Sequence, residues 1–207
     1  MYDPECKGIF QLTRPLILAS ASPRRRDLLA LLGLSFEIKP SSDKEPAWRP
    51  GLEPVKFALD LARIKGQKAA HEHKEAVVLS ADTIVVSGKE VLGKPADRQE
   101  GFQMLMTLRG RPHQVITGFC IRCAELGLCR LGAVSTTVYI GDFPEEVLRS
   151  YADTGEGLDK AGSYAVQGVG SFLVERIEGS YTNVVGLPVT EIIKILLETG
   201  MIKVCIM

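Results

Sequence analysis

The segment 18–26, Leu-Ala-Ser-Ala-Ser-Pro-Arg-Arg-Arg, combines residue types that together can bind an anion. The apolar run 16–19 is typical of a buried strand, and it gives way to a short polar turn and then to a helix with leucines on one side. Ser22 suits the N-cap and Pro23 the first turn, where free N–H groups and the helix dipole favour negative charge. Fixed positive charge is added by Arg24, Arg25 and Arg26. We therefore expect an anion site, with phosphate the best match; the alternative is a capped surface helix with solvated arginines.

Asp82 is the second chemical signal, because it interrupts the apolar, valine-rich run 76–86. An unpaired carboxylate inside a buried strand is costly, so Asp82 must meet a cation, a metal ion or a cleft. The alternative is a core aspartate whose charge is satisfied by backbone donors. Thr83 beside it could hydrogen-bond a ligand or pack as an ordinary β-branched strand residue.

Other charged and polar residues are candidates that carry little weight individually. Lys94 follows the strand in a Gly-Lys-Pro turn, where a hairpin could return it toward the buried acid, and Lys65 lies in an amphipathic stretch. Glu45 lies in a proline-rich loop, and a glycine-rich segment carries Lys160 and Gln167. Glycine permits close approach of a ligand, and an amide can read a base edge. For each of these residues a solvated surface position is the alternative.

The totals argue against several function classes. The 207 residues contain 25 basic and 25 acidic side chains, which disfavours broad binding to nucleic acid or anionic membrane. The five cysteines are scattered and suggest no disulfide framework, and Cys120 and Cys123 lie on opposite faces of a predicted strand. No signal peptide, transmembrane stretch, catalytic triad signature or Walker loop is recognisable. We expect a cytoplasmic protein with no nucleic-acid or membrane partner.

Strand and helix patterns alternate along the chain, which predicts an α/β fold with a mixed β-sheet and flanking helices. Strands are expected at 16–20, 35–40, 76–86, 172–177 and in a hairpin over 112–141; helices are expected at 23–33, 53–73, 97–109, 144–154 and 187–199. Residues 1–14 are interpreted as an N-terminal extension, 15–200 as one domain and 201–207 as a tail. Function then depends on acids and cations from distant segments meeting across one groove.

Six segments, taken in order, carry a family resemblance. They are Ala19-Ser20-Ala21-Ser22-Pro23-Arg24-Arg25, Ala81-Asp82-Thr83, Gly93-Lys94-Pro95, Gly110-Arg111-Pro112-His113 with Thr117-Gly118, Asp159-Lys160-Ala161-Gly162-Ser163-Tyr164 through Gln167-Gly168, and Asn183-Val184-Val185-Gly186-Leu187-Pro188. From about residue 15 to residue 199 the chain resembles the Maf family of nucleoside triphosphate pyrophosphatases. The resemblance implies an elongated, two-lobed Maf/ITPase-like fold with a central cleft.

The resemblance also implies a reaction, the hydrolysis of a nucleoside triphosphate between its α and β phosphates, with a divalent metal cation, Mg²⁺ or Mn²⁺. By position, Asp82 falls on the family's catalytic acid. Positions that separate members preferring dTTP and UTP from those preferring 7-methyl-GTP are occupied by Arg24, Thr83 and Gln167, in forms that resemble the dTTP/UTP branch. Further cleft positions are matched by Ser22, Glu45, Lys65, Lys94 and Lys160.

On this basis we assign roles as a hypothesis. We expect catalysis from Asp82, Lys65 and Lys94, with Asp82 and Glu45 as the metal ligands and Asp82 deprotonating the attacking water. Substrate binding is expected from Ser22, Arg24, Arg25, Thr83, Lys160 and Gln167, because triphosphate hydrolysis is mainly a matter of neutralising and aligning charge.

The chain departs from the family pattern in the loop before the predicted helix 53–73 and within that helix, where Ile64 stands at a position that is commonly glutamate. Lys44 stands where an acid often precedes the matched glutamate, and Gly66 stands where alanine is common, which should loosen the helix locally. Two other functions stay open: a non-enzymatic, nucleotide-binding regulator of cell division, and a pyrophosphatase for non-canonical purine triphosphates. A homodimer is also left open.

Overall fold

The computed structural model describes residues 8–43 and 45–205, and Lys44, residues 1–7 and residues 206–207 lie outside the described part. The described chain forms nine strands and six α-helices, as an α/β fold requires. The strands are β1 (Phe10–Leu12), β2 (Leu16–Leu18), β3 (Glu37–Ile38), β4 (Val77–Ser87), β5 (Glu90–Leu92), β6 (Pro112–Cys123), β7 (Leu128–Ile140), β8 (Val174–Glu178) and β9 (Ile202–Val204). The helices are α1 (Pro23–Ala30), α2 (Pro54–Glu72), α3 (Arg98–Leu108), α4 (Glu145–Asp153), α5 (Tyr181–Val185) and α6 (Val189–Glu198).

The central sheet is mixed, which confirms the predicted fold class. Its strand order is β3-β2-β4-β6-β7-β8, and β5 pairs with the end of β4. Strand β2 runs parallel to β3 and β4, whereas the remaining neighbours are antiparallel. The two long strands β4 and β6 pair continuously from Val78↔Arg122 to Val86↔Gln114. They are therefore the central pair of strands in the sheet.

The two largest hydrophobic clusters lie along these long strands, one toward each end. The first contains Leu79 of β4 together with leucines and isoleucines of α1 and α6. The second contains Val85 of β4 together with apolar side chains of α3 and α4. Asp82 and Thr83 lie on β4 between the two clusters, so the strands continue from one lobe to the other and the space between the lobes opens beside these residues.

Helix α2 packs on the sheet along β4 and β6, and a glycine sets how closely it approaches. A β-carbon at Gly66 would lie 2.5 Å from Oγ of Ser80 and 3.2 Å from its Cβ. The Ser80 hydroxyl donates to the carbonyl oxygen of Ala62 over 2.6 Å. Helix α2 runs unbroken through this point, and the expected local loosening at Gly66 stays a prediction. Its missing side chain makes room for the hydroxyl of Ser80.

Several short elements were not predicted. Strands β1 and β9 come from the expected extension and tail, and they pair antiparallel with Phe10 opposite Val204. The expected strand over 172–177 begins later, because residues 169–173 form a 3₁₀ turn before β8. Cys205 is disulfide-bonded, whereas the scattered cysteines had suggested no disulfide. In the described part of the chain, none of the helices has the length and apolar character that a membrane crossing requires.

Candidate active site

A cleft of about 730 Å³ lies between the two lobes. All the site residues expected from the sequence lie in its wall: Ser22, Arg24, Arg25, Glu45, Lys65, Asp82, Thr83, Lys94, Lys160 and Gln167. They come from α1, α2, β4, the loop before α2, the turn after β5 and the glycine-rich segment before β8. The fold therefore brings distant acids and cations into one groove, while their individual roles stay predictions.

One group of charged side chains in the cleft is an acid–lysine–acid cluster. Lys65, on α2, places Nζ in direct contact with Oδ1 of Asp82 and 3.2 Å from Oε1 of Glu45. Asp82 is 9% exposed, so its carboxylate lies at the floor of the cleft and is not sealed in the core. A carboxylate paired with a lysine differs from the alternative of a core aspartate held by backbone donors alone. The cluster has the composition that water activation needs, a carboxylate with a cation beside it.

The same two carboxylates suit a hard divalent cation. Glu45 and Asp82 both reach one lysine nitrogen, so their oxygens face a common point. Mg²⁺ is commonly bound by one or two carboxylates, with substrate phosphate oxygens and water completing its shell. Among the described residues there is no group of three or more His, Cys, Asp or Glu side chains placed to hold a metal. The two carboxylates alone would supply part of the oxygen shell of such an ion, and phosphate oxygens and water could supply the rest.

The N-terminus of α1 forms one side of the cleft, as the Ser-Pro-Arg-Arg segment predicts. Ser22 is the N-cap, its side chain accepts from the backbone N–H of Arg25, and Pro23 occupies the first turn. Arg24 is half-buried, and its guanidinium lies 3.2 Å from Oδ2 of Asp159 on the opposite wall. Arg26 instead pairs with its exposed neighbour Asp27. Only part of the arginine cluster therefore faces the cleft.

Arg25 has a different environment from the solvated arginine of the surface-helix alternative. It is 8% exposed and donates to Gly186 O over 2.7 Å, to Ser20 Oγ over 3.1 Å and to Thr83 Oγ1 over 2.9 Å. Burial lowers the pKa of Arg25, and the nearby charge of Asp82 opposes that shift. Because its guanidinium donates to three protein acceptors, Arg25 holds the cleft wall together as well as supplying positive charge to the cleft.

Thr83 is held by two of the motif segments. Its hydroxyl accepts from Arg25 and lies 2.9 Å from the hydroxyl of Thr117 on the neighbouring strand. Thr117 in turn donates to the backbone carbonyl oxygen of Asn183. Asn183 is fully buried, and its side-chain Nδ2 donates to the carbonyl oxygen of Val115. The Thr117 and Asn183 segments therefore act as supports behind the cleft.

The opposite wall carries Lys160, Asp159 and Gln167 from the glycine-rich segment. Lys160 Nζ lies 2.5 Å from both the carbonyl oxygen of Glu156 and Oδ1 of Asp159. Partial burial raises the pKa of Asp159, but Lys160 and Arg24 outweigh it and hold that pKa below its usual value. Asp159 therefore bridges cations from both walls and is the acid that a phosphate entering here would meet.

Two predicted residues have side chains with no partner among the described residues. Lys94 is exposed at the turn after β5, and Gln167 is exposed at the cleft rim. Neither side chain takes part in a hydrogen bond or ion pair within the described part of the chain. Both are therefore available to a ligand.

Aromatic residues complete the wall, and the sequence did not single them out as site residues. Trp48 and Phe57 form an edge-to-face pair with centroids 5.2 Å apart, and Tyr164 lines the cleft while its hydroxyl lies 2.8 Å from Nε2 of buried His113. Burial lowers the pKa of His113 to about 4. The only tryptophan of the chain, in a loop beside Glu45, was an available signal for a ligand wall.

Comparisons with known proteins agree with this arrangement. A family model described as Maf-like protein matches residues 15–199. A dTTP/UTP pyrophosphatase of Desulfotalea psychrophila is 42% identical, over 95% of this chain and 100% of that protein. One from Nitratidesulfovibrio vulgaris is 44% identical, over 94% of this chain and 92% of that protein. The structure of a HAM1 protein from Coxiella burnetii is similar in fold, with a TM-score of 0.52 at 16% identity, covering 90% of this chain and 100% of that one.

Proposed function

The chain belongs to the Maf-like protein family, and on that premise we propose that it is a nucleoside triphosphate pyrophosphatase that acts on dTTP and UTP. The products are the nucleoside monophosphate and pyrophosphate. A divalent cation as cofactor, a cytoplasmic location and the absence of nucleic-acid partners belong to the proposal and rest on the sequence. The substrate class rests on the relatives, which are dTTP/UTP pyrophosphatases.

The observation that carries the proposal is the position of Asp82. Its carboxylate lies at the floor of the cleft against Lys65, between an arginine-bearing helix start and a lysine-bearing loop. A nucleoside triphosphate carries about four negative charges near neutral pH, so its hydrolysis depends mainly on charge neutralisation and alignment. A cleft with cations on both walls and an acid at its floor meets both requirements.

The residues divide the work as follows. Oδ1 of Asp82 is engaged by Lys65, and Oδ2 has no partner among the described residues, so Oδ2 is the atom placed to accept a proton from water. The water oxygen then bonds to the α phosphorus, and the bond from that phosphorus to the bridging oxygen breaks. Pyrophosphate leaves with the electron pair, and the developing negative charge is met by Arg24, Lys94 and Lys160.

Glu45 and Asp82 are the residues that would hold Mg²⁺ or Mn²⁺, which when bound would add positive charge at the phosphates. Lys65 holds these two carboxylates together in the protein as described. It thereby reduces the repulsion between two negative charges that must share one small site. This role of Lys65 is distinct from contact with the phosphates.

The test is release of pyrophosphate from a panel of nucleotides with Mg²⁺ or Mn²⁺. We expect turnover of dTTP and UTP above CTP, ITP and 7-methyl-GTP. Preference for ITP would replace the pyrimidine assignment, and binding without pyrophosphate release would favour the non-enzymatic regulator.

Asp82→Asn is the matching variant. It should lower kcat about 10²- to 10⁴-fold, the range typical of a general acid–base group, with an unchanged melting temperature. The matched control is Asp142→Asn, because Asp142 is an exposed carboxylate paired with Arg109 outside the cleft. Hydrolysis of UTP by Asp82→Asn at the normal rate would disprove the role of Asp82.

A further inference from the structure

The segment that carries Gln167 is attached to the protein through one carboxylate. Glu156 accepts the backbone N–H of Val169 at Oε1 over 2.9 Å and that of Gly170 at Oε2 over 2.7 Å. Oε2 also accepts the hydroxyl of Tyr151 over 3.0 Å. Both carboxylate oxygens therefore accept from backbone N–H groups that follow Gln167 by two and three residues.

Tyr151 fixes the other side of the same segment. Its hydroxyl oxygen accepts the backbone N–H of Ala165 over 3.1 Å while its proton goes to Glu156. Tyr151 is 3% exposed and belongs to α4, within the second hydrophobic cluster. Backbone N–H groups on both sides of Gln167 are thus held by Tyr151, which lies on the packed helix α4, and by Glu156, which follows that helix.

The close approach of the carboxylate depends on Gly168. This residue has φ of 89°, and a β-carbon there would overlap Oε1 of Glu156. Side chains of L-residues rarely adopt this conformation, so glycine serves both the turn and the contact. The neighbourhood of Gln167 is therefore shaped around the Glu156 carboxylate.

Gln167 itself is left free to bind. It is exposed in the cleft wall, and its amide makes no hydrogen bond within the described part of the chain. An amide offers a donor and an acceptor side by side. Uracil and thymine present the complementary pair, a carbonyl oxygen beside an N–H, whereas cytosine presents an amino group beside a ring nitrogen that accepts. Guanine presents the same pair as uracil, so cytosine is the base against which this amide discriminates.

We propose that Glu156, together with Tyr151, is a positioning residue that fixes Gln167 in the cleft wall and thereby sets the preference for uracil and thymine nucleotides. This inference rests on the proposed function. Neither side chain touches the substrate; both act through the backbone of residues 165–170.

The charge of Glu156 is central to this role. Burial raises the pKa of Glu156. The N–H groups of Gly170 and Val169, followed by Tyr151 and Lys160, lower it by a larger amount, so the pKa lies below its usual value. In Glu156→Gln one carboxylate oxygen becomes an NH₂ group, which cannot accept from the N–H that faces it. The segment should then lose at least one of its two backbone anchors.

The experiment compares wild type, Glu156→Gln and Tyr151→Phe, with Glu145→Gln as the matched control on the exposed side of α4. Two readouts are used: steady-state kinetics with UTP and CTP, and calorimetric binding of UMP and CMP. We expect Glu156→Gln to raise KM for UTP and Kd for UMP about tenfold, with kcat within about twofold. Tyr151→Phe should change both in the same direction by about threefold, and values for the cytosine nucleotides should change little.

Base preference is the decisive measurement. Equal losses on uracil and cytosine nucleotides, or a loss confined to melting temperature, would overturn the proposal, as would Glu156→Gln values that match Glu145→Gln. If Glu156→Gln fails to fold, Tyr151→Phe carries the same comparison. UMP binding needs no turnover, so an inactive wild type would refute the proposed function while the positioning role is still decided by binding.

Discussion

Gly66→Ala should destabilise the protein, although alanine is the better helix former. The residue lies on α2 against β4, where the Ser80 hydroxyl donates to Ala62 O. A new β-carbon would lie 2.5 Å from that hydroxyl oxygen and 3.2 Å from the Ser80 β-carbon. The substitution therefore has two opposite effects: a gain in helix propensity and a steric overlap at one buried contact.

The magnitudes decide which effect prevails. Alanine gains about 1 kcal/mol over glycine in a helix interior. Overpacking of a well-filled core costs about 1–3 kcal/mol. If Ser80 rotates to avoid the new methyl group, its fully buried hydroxyl loses its acceptor, which costs about 1–3 kcal/mol. Because overlap of the two β-carbons persists in every Ser80 rotamer, we expect a net loss of about 1–2 kcal/mol in the free energy of unfolding.

The assay is urea denaturation of Gly66→Ala, Ser80→Ala and the double variant, with Gln67→Ala as an exposed control on the same helix. Ser80→Ala removes the nearest atom, so the double variant should be more stable than the sum of the single changes predicts by about 1 kcal/mol. Pyrophosphate release should follow the same order, because Lys65 precedes Gly66 and depends on the distance between α2 and β4. A Gly66→Ala protein as stable as wild type would refute the close packing.

Two further predictions concern the cleft wall and its support. Arg24→Ala should lower kcat/KM for UTP about 10- to 100-fold, because a charge-assisted hydrogen bond contributes about 1.5–3 kcal/mol. The exposed control Arg63→Ala should change kcat/KM by no more than about twofold. Equal values for the two variants would exclude Arg24 from phosphate binding. Burial lowers the pKa of His113 from 6.5 to about 4, so the unfolded chain takes up the proton first, and stability present above about pH 6.5 is lost as the pH falls toward 4. This loss should reach about 3 kcal/mol in urea unfolding, and His113→Gln should show a correspondingly flatter pH dependence.

The sequence predicted most of what positions the candidate site. The serine cap and the proline at the start of α1 follow from local backbone chemistry, which a short segment contains in full. Asp82 stood out because one acid in a valine-rich strand must meet a partner, and the structure supplies Lys65. Such signals are readable because each depends on a few neighbouring residues.

Other features depend on contacts that no local pattern encodes. Arg25 was expected to bind substrate, and the sequence did not show that its guanidinium also donates to Ser20 nearby and to Gly186 and Thr83 in distant segments. Glu156 has the look of a solvated loop glutamate, and its importance emerges only when residues 165–170 fold back onto it. Strands β1 and β9 are three residues each, and their pairing joins opposite ends of the described chain.

The continuity of β4 and β6 through both lobes limits how this protein can move. Hinge motion needs a few loop or terminal residues that absorb a large change in backbone angles. Between the two lobes, however, β4 and β6 form an uninterrupted series of antiparallel pairs. Swinging one half toward the other would bend these strands and break hydrogen bonds. We therefore expect the distance between the walls to change little when a nucleotide binds, so that the nucleotide gains affinity from a pre-organised groove.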